Sequence, residues 1–341
     1  MVSLLSRGSS KALGLIAVML LLLFCFALSV VLGTTKIGLQ AALESFLRYD
    51  PSSTEHVIIR TTRLPRAVYG TLIGGSLAIA GALMQALTRN PLASPGIFGV
   101  NAGAVACVVL ALTFLPISSM SQLVGFAFLG AAIASLTVYV LGSLGREGLT
   151  PMKVVLAGAA MTALFTSITQ GMLVLNESGL QSVLFWLAGS VAGKELDGLY
   201  PVLPYMLGAG AAALAMAHSV NLIASGEELA KGLGQRTALV KGGIAIAVVL
   251  LAGSSVAVAG AIGFVGLVIP HIARYLVGVD YRWVLPYSAA LGGILLLLAD
   301  IAARFLVMPG EIPLGVMTGL VGGPFFVYIA RRGLRAKGGR T

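Results

Sequence analysis

Long apolar runs alternate with short polar breaks along almost the whole chain, and most of the runs exceed what the core helix of a soluble domain needs. Windows almost free of charge extend over 12–35, 67–88, 90–145, 154–176, 198–226, 242–273, 283–299 and 312–330. A helix crosses the hydrocarbon layer with about 20 apolar residues, so the longest windows must hold two helices each. The 90–145 window divides at Pro116-Ile117-Ser118-Ser119. The 242–273 window divides near Gly260-Ala261-Ile262-Gly263, and its second half runs on to Gly278. The pattern predicts an all-α polytopic membrane protein with one transmembrane domain over 1–341. It has about ten spans, at roughly 12–33, 64–87, 93–115, 121–144, 151–175, 198–218, 237–259, 263–278, 284–303 and 313–331, and a cytoplasmic loop at 219–236.

Composition supports the lipid-facing reading. The 341 residues are 58% hydrophobic and 10% charged, whereas a soluble domain carries about 25% charged residues. The 44 glycines sit among Leu, Val, Ile and Ala, where they let helix backbones approach closely in a membrane. The first run follows Arg7 and Lys11. It is longer than the roughly 7–15 residues of a signal-peptide core, so it reads as the first span. Cys25 and Cys107 fall inside apolar runs and predict neither a disulfide nor a metal site.

Charge then orients the spans. The net charge of +10 is scattered through short loops, without the basic stripe and interleaved aromatics of a nucleic-acid surface. An even number of spans puts both termini on one side. If that side is the cytoplasm, the inner segments hold 15 of the 22 Lys and Arg residues and 4 of the 12 acids. The excess of positive charge inside assigns both termini to the cytoplasm. Three outward arginines, Arg63, Arg66 and Arg304, run against that bias. They either snorkel into headgroups or form a rim that meets an acidic partner.

Chemistry-bearing motifs are scarce. No phosphate-cradling Gly-x-x-x-x-Gly-Lys-Ser/Thr loop occurs, and Gly193-Lys194-Glu195 lacks both the spacing and the hydroxyl. The chain is therefore expected not to be an enzyme and not to hydrolyse ATP. His56, His218 and His271 belong to no ligand-spaced cluster, and no catalytic or metal residues are assigned. A transporter driven by an ion gradient needs acids within its spans. Only Asp300 comes close, and it is placed to pair with Arg304 one turn later. An external energy source is the stronger reading, with an ion-coupled secondary transporter as the weaker one. In the inner loop, the stretch Gly226 to Gly234 predicts a short amphipathic helix ended by glycine. It serves either as a docking helix for a soluble partner or as an ordinary connector.

Three ordered blocks then carry a resemblance. The first is Arg63-Leu64-Pro65-Arg66, Gly81, Gln85 and Arg89-Asn90-Pro91-Leu92-Ala93-Ser94-Pro95-Gly96. The second is Gly226-Glu227-Glu228 and Leu233-Gly234, followed by the run Val258 to His271. The third is Leu298-Ala299-Asp300-Ile301-Ala302-Ala303-Arg304 with Glu311-Ile312-Pro313-Leu314-Gly315. Together they resemble the FecCD family, permeases of ATP-binding-cassette importers for iron-siderophores, haem and cobalamin. The resemblance implies a multi-pass protein of the bacterial cell membrane that pairs with a second permease, identical or related. It also implies two ATPase subunits, which hold the ATP and Mg, and an extracytoplasmic substrate-binding protein. An iron-siderophore is the first expectation for cargo, with haem or cobalamin as the alternative. Carried over by motif, Arg63, Arg66 and Arg304 would dock the binding protein. Gly226, Glu227, Glu228, Ala230, Leu233 and Gly234 would couple to the ATPase. Gly315-x-x-x-Gly319 is a small-residue packing motif, used either between permeases or within one.

Overall fold

The computed structural model describes residues 4–117, 119–144, 151–175, 187–308 and 310–338. Its regular elements, among those residues, are helices. After α1 (Gly8–Val31) and the short α2 (Leu39–Leu47), α3 (Thr54–Ile58) runs through a π-helical turn at Ile59–Arg63 into α4 (Leu64–Thr88). There follow α5 (Val100–Phe114), α6 (Met120–Ser143), α7 (Pro151–Leu175), α8 (Leu203–Ala215), α9 (Ala217–Ser225) and α10 (Glu227–Gly232). The chain ends in α11 (Thr237–Ala259), α12 (Val265–Val277), α13 (Tyr281–Leu306) and α14 (Leu314–Gly338).

Each predicted span meets one of these helices, but fewer than ten can cross a membrane by length and composition alone. Among the described residues six qualify, and α8 with α9, bent by 60° at their junction, can count as a seventh. The apolar parts of α5, α12 and α14 are shorter. The discrepancy has a local cause, because apolar windows also include residues that leave the helix. Pro95–Phe98 forms a 3-10 turn before α5. Ahead of α12 the backbone turns at Gly260 (φ 73°) and at Phe264, a non-glycine held at φ 66°.

The core is built on α4. Its apolar window is 78% buried, against 17% for α1, whose Leu13, Leu20, Leu23 and Phe24 project outward. Such a face belongs in lipid. The α4 helix packs against α11, α12 and α13, while α1 lies along α13. Glycine makes the tightest crossing. A Cβ on Gly74 of α4 or on Gly292 of α13 would collide with the other's backbone carbonyl. The same holds for a Cβ on Gly81 of α4 facing Gly266 of α12. Because lipid tails are as apolar as leucine, this close packing replaces much of the hydrophobic drive available in water. Gly315 is used within the chain, with its Cβ direction blocked by the Ala188 and Ala261 carbonyls.

Candidate functional site: two polar clusters at opposite ends of one helix pair

α4 and α13 run antiparallel, and each end of the pair carries a polar cluster. At one end lie Arg66, near the start of α4, and Asp300, near the end of α13. At the other lie Gln85 and Arg89 with the first turn of α13. Arg66 and Gln85 are 19 residues apart in a straight helix, about 29 Å at 1.5 Å per residue.

At the first end Asp300 is shared. Its Oδ1 accepts from Arg66 Nη2 at 2.7 Å and from Arg66 Nε at 3.2 Å. Its Oδ2 accepts from Arg304 Nε at 3.0 Å and also from Arg304 Nη2. The expected Asp300–Arg304 pair is therefore present, with Arg66 added across the helix crossing. Arg66 Nη1 donates to both oxygens of Glu311, at 2.9 and 2.8 Å. Arg304 Nη1 also donates to the Ser29 and Leu32 carbonyls at 2.8 and 2.7 Å, and its Nη2 to Ser29 Oγ at 2.9 Å. Arg63 donates to the carbonyls of Val30, Val31 and Thr35. All but the Thr35 carbonyl belong to the end of α1, where the last turn has no intrahelical donors and the helix dipole is negative. Two guanidiniums thus cap α1 from outside its own sequence.

The three arginines singled out by sequence are therefore brought together, but not as an exposed rim. Arg63, Arg66 and Arg304 are 3%, 6% and 2% exposed, and each is engaged within the chain. Glu311, with a side chain one-third exposed, is the member of the cluster most open to solvent. Sequence reasoning quoted Glu311 only as part of a motif. Its pairing with Arg66 crosses 245 positions, beyond the reach of local periodicity.

At the other end, α4 stops at Arg89, which adopts a left-handed conformation (φ 49°). Asn90 Oδ1 then accepts from Leu92 N at 2.9 Å, and Pro91 prevents the helix from resuming. Beside this turn lies the α9–α10 segment. Gly226 (φ 132°) and Gly234 (φ 79°) frame α10. The backbone N–H groups of Gly234 and Gln235 donate to Lys231 O and Ala230 O, both at 2.9 Å. This pairing is a Schellman termination, which requires a left-handed residue and so selects glycine. Ala230 is buried. Glu227 is bound inward, with Oε2 2.6 Å from Lys241 Nζ on α11 and Oε1 3.0 Å from Lys231 Nζ. Hydrogen bonds from Lys241 and Lys231 lower the Glu227 pKa below the usual carboxylate range. Glu228, Leu229 and Leu233 face outward, the leucines 54% and 63% exposed. The six coupling candidates thus divide. Glu228 and Leu233 are exposed, while Gly226, Glu227, Ala230 and Gly234 shape the helix or anchor it to the rest of the chain.

A second set of residues there escaped the sequence reading. Asn221 of α9 donates from Nδ2 to Asp280 Oδ1 at 2.7 Å, and its Oδ1 accepts from Tyr281 N at 2.8 Å. Asp280 also caps α13, accepting from Arg282 N at 3.0 Å. Burial alone would raise the Asp280 pKa, but hydrogen bonds from Arg282 and Asn221 prevail and hold it at about 2. Arg274 of α12 donates to Gln85 Oε1, and Gln85 Nε2 donates to Gly266 O at 3.1 Å. A cavity of about 550 Å³ opens beside this chain of contacts, lined by Gln85, Arg89, Asn221, Ser225, Arg274 and Asp280 among others. A single asparagine in an apolar stretch gives no signal of such a role in sequence.

Comparison with known proteins agrees with the blocks quoted above. The chain is 54% identical over 329 residues to "Probable siderophore transport system permease protein YfiZ" of Bacillus subtilis, covering 96% of this chain and 98% of that one. It is 44% identical over 331 residues to the Fe(3+)-citrate import system permease protein YfmD of the same organism, covering 97% and 98%. A solved structure titled "An inward-facing conformation of a putative metal-chelate type ABC transporter" superposes with a TM-score of 0.81 at 29% identity, covering 93% of this chain and 98% of that one. The model of the FecCD transport family matches residues 21–332, so both polar clusters and the helix pair between them lie inside it, and the chain belongs to that family.

Proposed function

We propose that the chain is the membrane permease of an ATP-driven, binding-protein-dependent importer of a ferric siderophore. The observation that carries this reading is near-full-length similarity to permeases named for siderophore and ferric citrate transport. In it, six long helices, the bent α8–α9 pair and the three shorter apolar helices make ten spans. The positive-charge bias of the loops puts both termini in the cytoplasm. A second permease, identical or related, completes the pathway, and two ATPase subunits hold ATP and Mg.

The α9–α10 segment supplies the cytoplasmic contact. Leu229 and Leu233 present apolar surface beside Glu228, as a helix seated in a groove requires. The Asp300 end of the bundle, on the opposite side, receives the substrate-binding protein. Docking there works through the cluster. Carboxylates of the arriving protein compete with Glu311 for Arg66, while Arg63 and Arg304 hold the end of α1 in place. ATP and the binding protein can drive alternating access only if each prefers one arrangement of the permease.

Purification from native membranes in mild detergent, with mass spectrometry of the co-purifying proteins and their ligands, tests this reading. An ATPase, a second permease and a binding protein carrying an iron chelate are expected. Transport by the chain alone under an ion gradient would overturn it, and haem or cobalamin on the binding protein would reassign the cargo.

A further inference from the structure

We propose that Asn221 is a positioning residue that carries movement of the α9–α10 segment into the α4–α12–α13 core. The proposal rests on the coupling role given to α10 above. Both ends of the Asn221 amide are engaged, one on the Asp280 carboxylate and one on the Tyr281 backbone N–H. A two-point contact transmits direction as well as distance, because the planar amide cannot rotate without breaking one bond. The contact grips the first turn of α13, where Asp280 already serves as the N-cap.

From that turn the connection reaches the core in two further steps. Tyr281 lies beside Arg274 of α12 in the wall of one cavity, and Arg274 bonds to the Gln85 amide on α4. Gln85 is buried, and its amide nitrogen donates to α12 carbonyls at Gly266 and Leu267. These carbonyls lie where α4 and α12 touch through Gly81 and Gly266, so displacement at Asn221 arrives at the closest backbone contact of that helix pair. The cavity beside Asn221, Asp280 and Arg274 leaves the link exposed on one flank. The α9 helix can therefore swing on its 60° bend from α8 without repacking a filled interior.

The reconstituted importer, with its ATPase subunits and binding protein, supplies the test. The readout is ATP hydrolysed per substrate imported, alongside the melting temperature of the assembled complex. N221D sets two carboxylates face to face and is expected to raise the ratio about tenfold with the complex still assembled. D280N retains an amide-to-amide bond and should change it about twofold or less. The exchange N221D/D280N restores a donor opposite a carboxylate and should return the ratio to within about twofold of the parent. N221A removes the link without adding charge and should raise the ratio if N221D fails to assemble. An unchanged ratio in N221A overturns the proposal. So does a ratio that follows melting temperature in every variant and is not rescued by the exchange. If Leu229→Ala/Leu233→Ala alters the ratio while N221A does not, the relay fails and the coupling reading stands. If the leucine pair leaves both ATPase association and the ratio unchanged, the coupling reading itself fails.

Discussion

Arg66 of α4 meets Asp300 of α13 at 2.7 Å in an ion pair whose side chains are 7% and 2% exposed. The same carboxylate holds Arg304, so one acid joins two cations and, through Arg304, the end of α1. A buried carboxylate of this kind is costly to leave unmatched in either direction. Removing one partner strands a charge, which destabilises by about 3–5 kcal/mol in buried ion pairs.

Asp300→Asn is therefore expected to lower the melting temperature of the detergent-solubilised protein far more than Glu311→Gln, whose carboxylate is one-third exposed. Fluorescence-detected size-exclusion after heating reads the difference. Equal shifts for the two variants would mean that Asp300 does not organise the cluster.

Docking can be separated from folding at the same place. Reversing Arg63 and Arg66 together would set new carboxylates beside Asp300, Glu311 and the α1 carbonyls, so loss of assembly is expected rather than loss of docking alone. Glu311→Gln is the cleaner probe, because it frees Arg66 for an incoming carboxylate. Binding of the substrate-binding protein to the nanodisc-embedded complex should strengthen, or at least persist, in Glu311→Gln and weaken about tenfold in Arg66→Gln. Tenfold weakening in Glu311→Gln instead would place the contact on Glu311 itself.

At the α10 end, Glu228→Lys with Leu233→Ala alters only outward-facing atoms of the α10 segment. ATPase subunits should co-purify at about one-tenth of the parent yield while the permease fold is retained. Glu227→Gln loosens α10 from Lys241 and is expected to keep the ATPase bound but reduce uptake. Normal uptake in both would remove the segment from the coupling role.

Asp280 and Glu227 should not act as pH switches in the neutral range. Asp280 titrates at about 2 and Glu227 below its usual range. A carboxyl with a depressed folded-state pKa contributes stability above its unfolded value of about 4 and loses it as pH falls through the folded value. ATP hydrolysed per substrate should then stay constant from about pH 8 to about pH 5. A change in that interval, abolished by Asp280→Asn, would contradict the hydrogen bonding described.

Gly292→Val would drive a branched side chain into the Gly74 carbonyl, and assembly should fail. Gly323→Ala on α14, which meets nothing within 4 Å, should be neutral by the same yield measurement.

Helices were the most legible feature of the sequence, because each apolar run is long and the breaks are polar. Their boundaries were less so: the break at Gly260 to Gly263 was readable from its glycines, but a window of apolar residues does not reveal that Pro95–Phe98 forms a 3-10 turn ahead of α5. The Asp300–Arg304 pair was readable as a one-turn spacing. The wider cluster was not, because Arg66, Ser29 and Glu311 converge only through helix packing. Likewise glycine at 234 announced a helix end, whereas nothing local marked Asn221 as the residue facing Asp280.

The capping of α1 has a consequence for the order in which the protein is made. Ser29 precedes Arg304 by 275 positions, so the donor for the last turn of α1 is synthesised only once α13 has been made. During insertion the α1 carbonyls must rely on water or headgroups at the interface. Arg63 arrives early and can hold them in part, through Val30 and Val31. The α1 helix is thus fully seated only after α13 has been made, and ribosome-bound chains halted before α13 should show the Val31 end of α1 still open to protease.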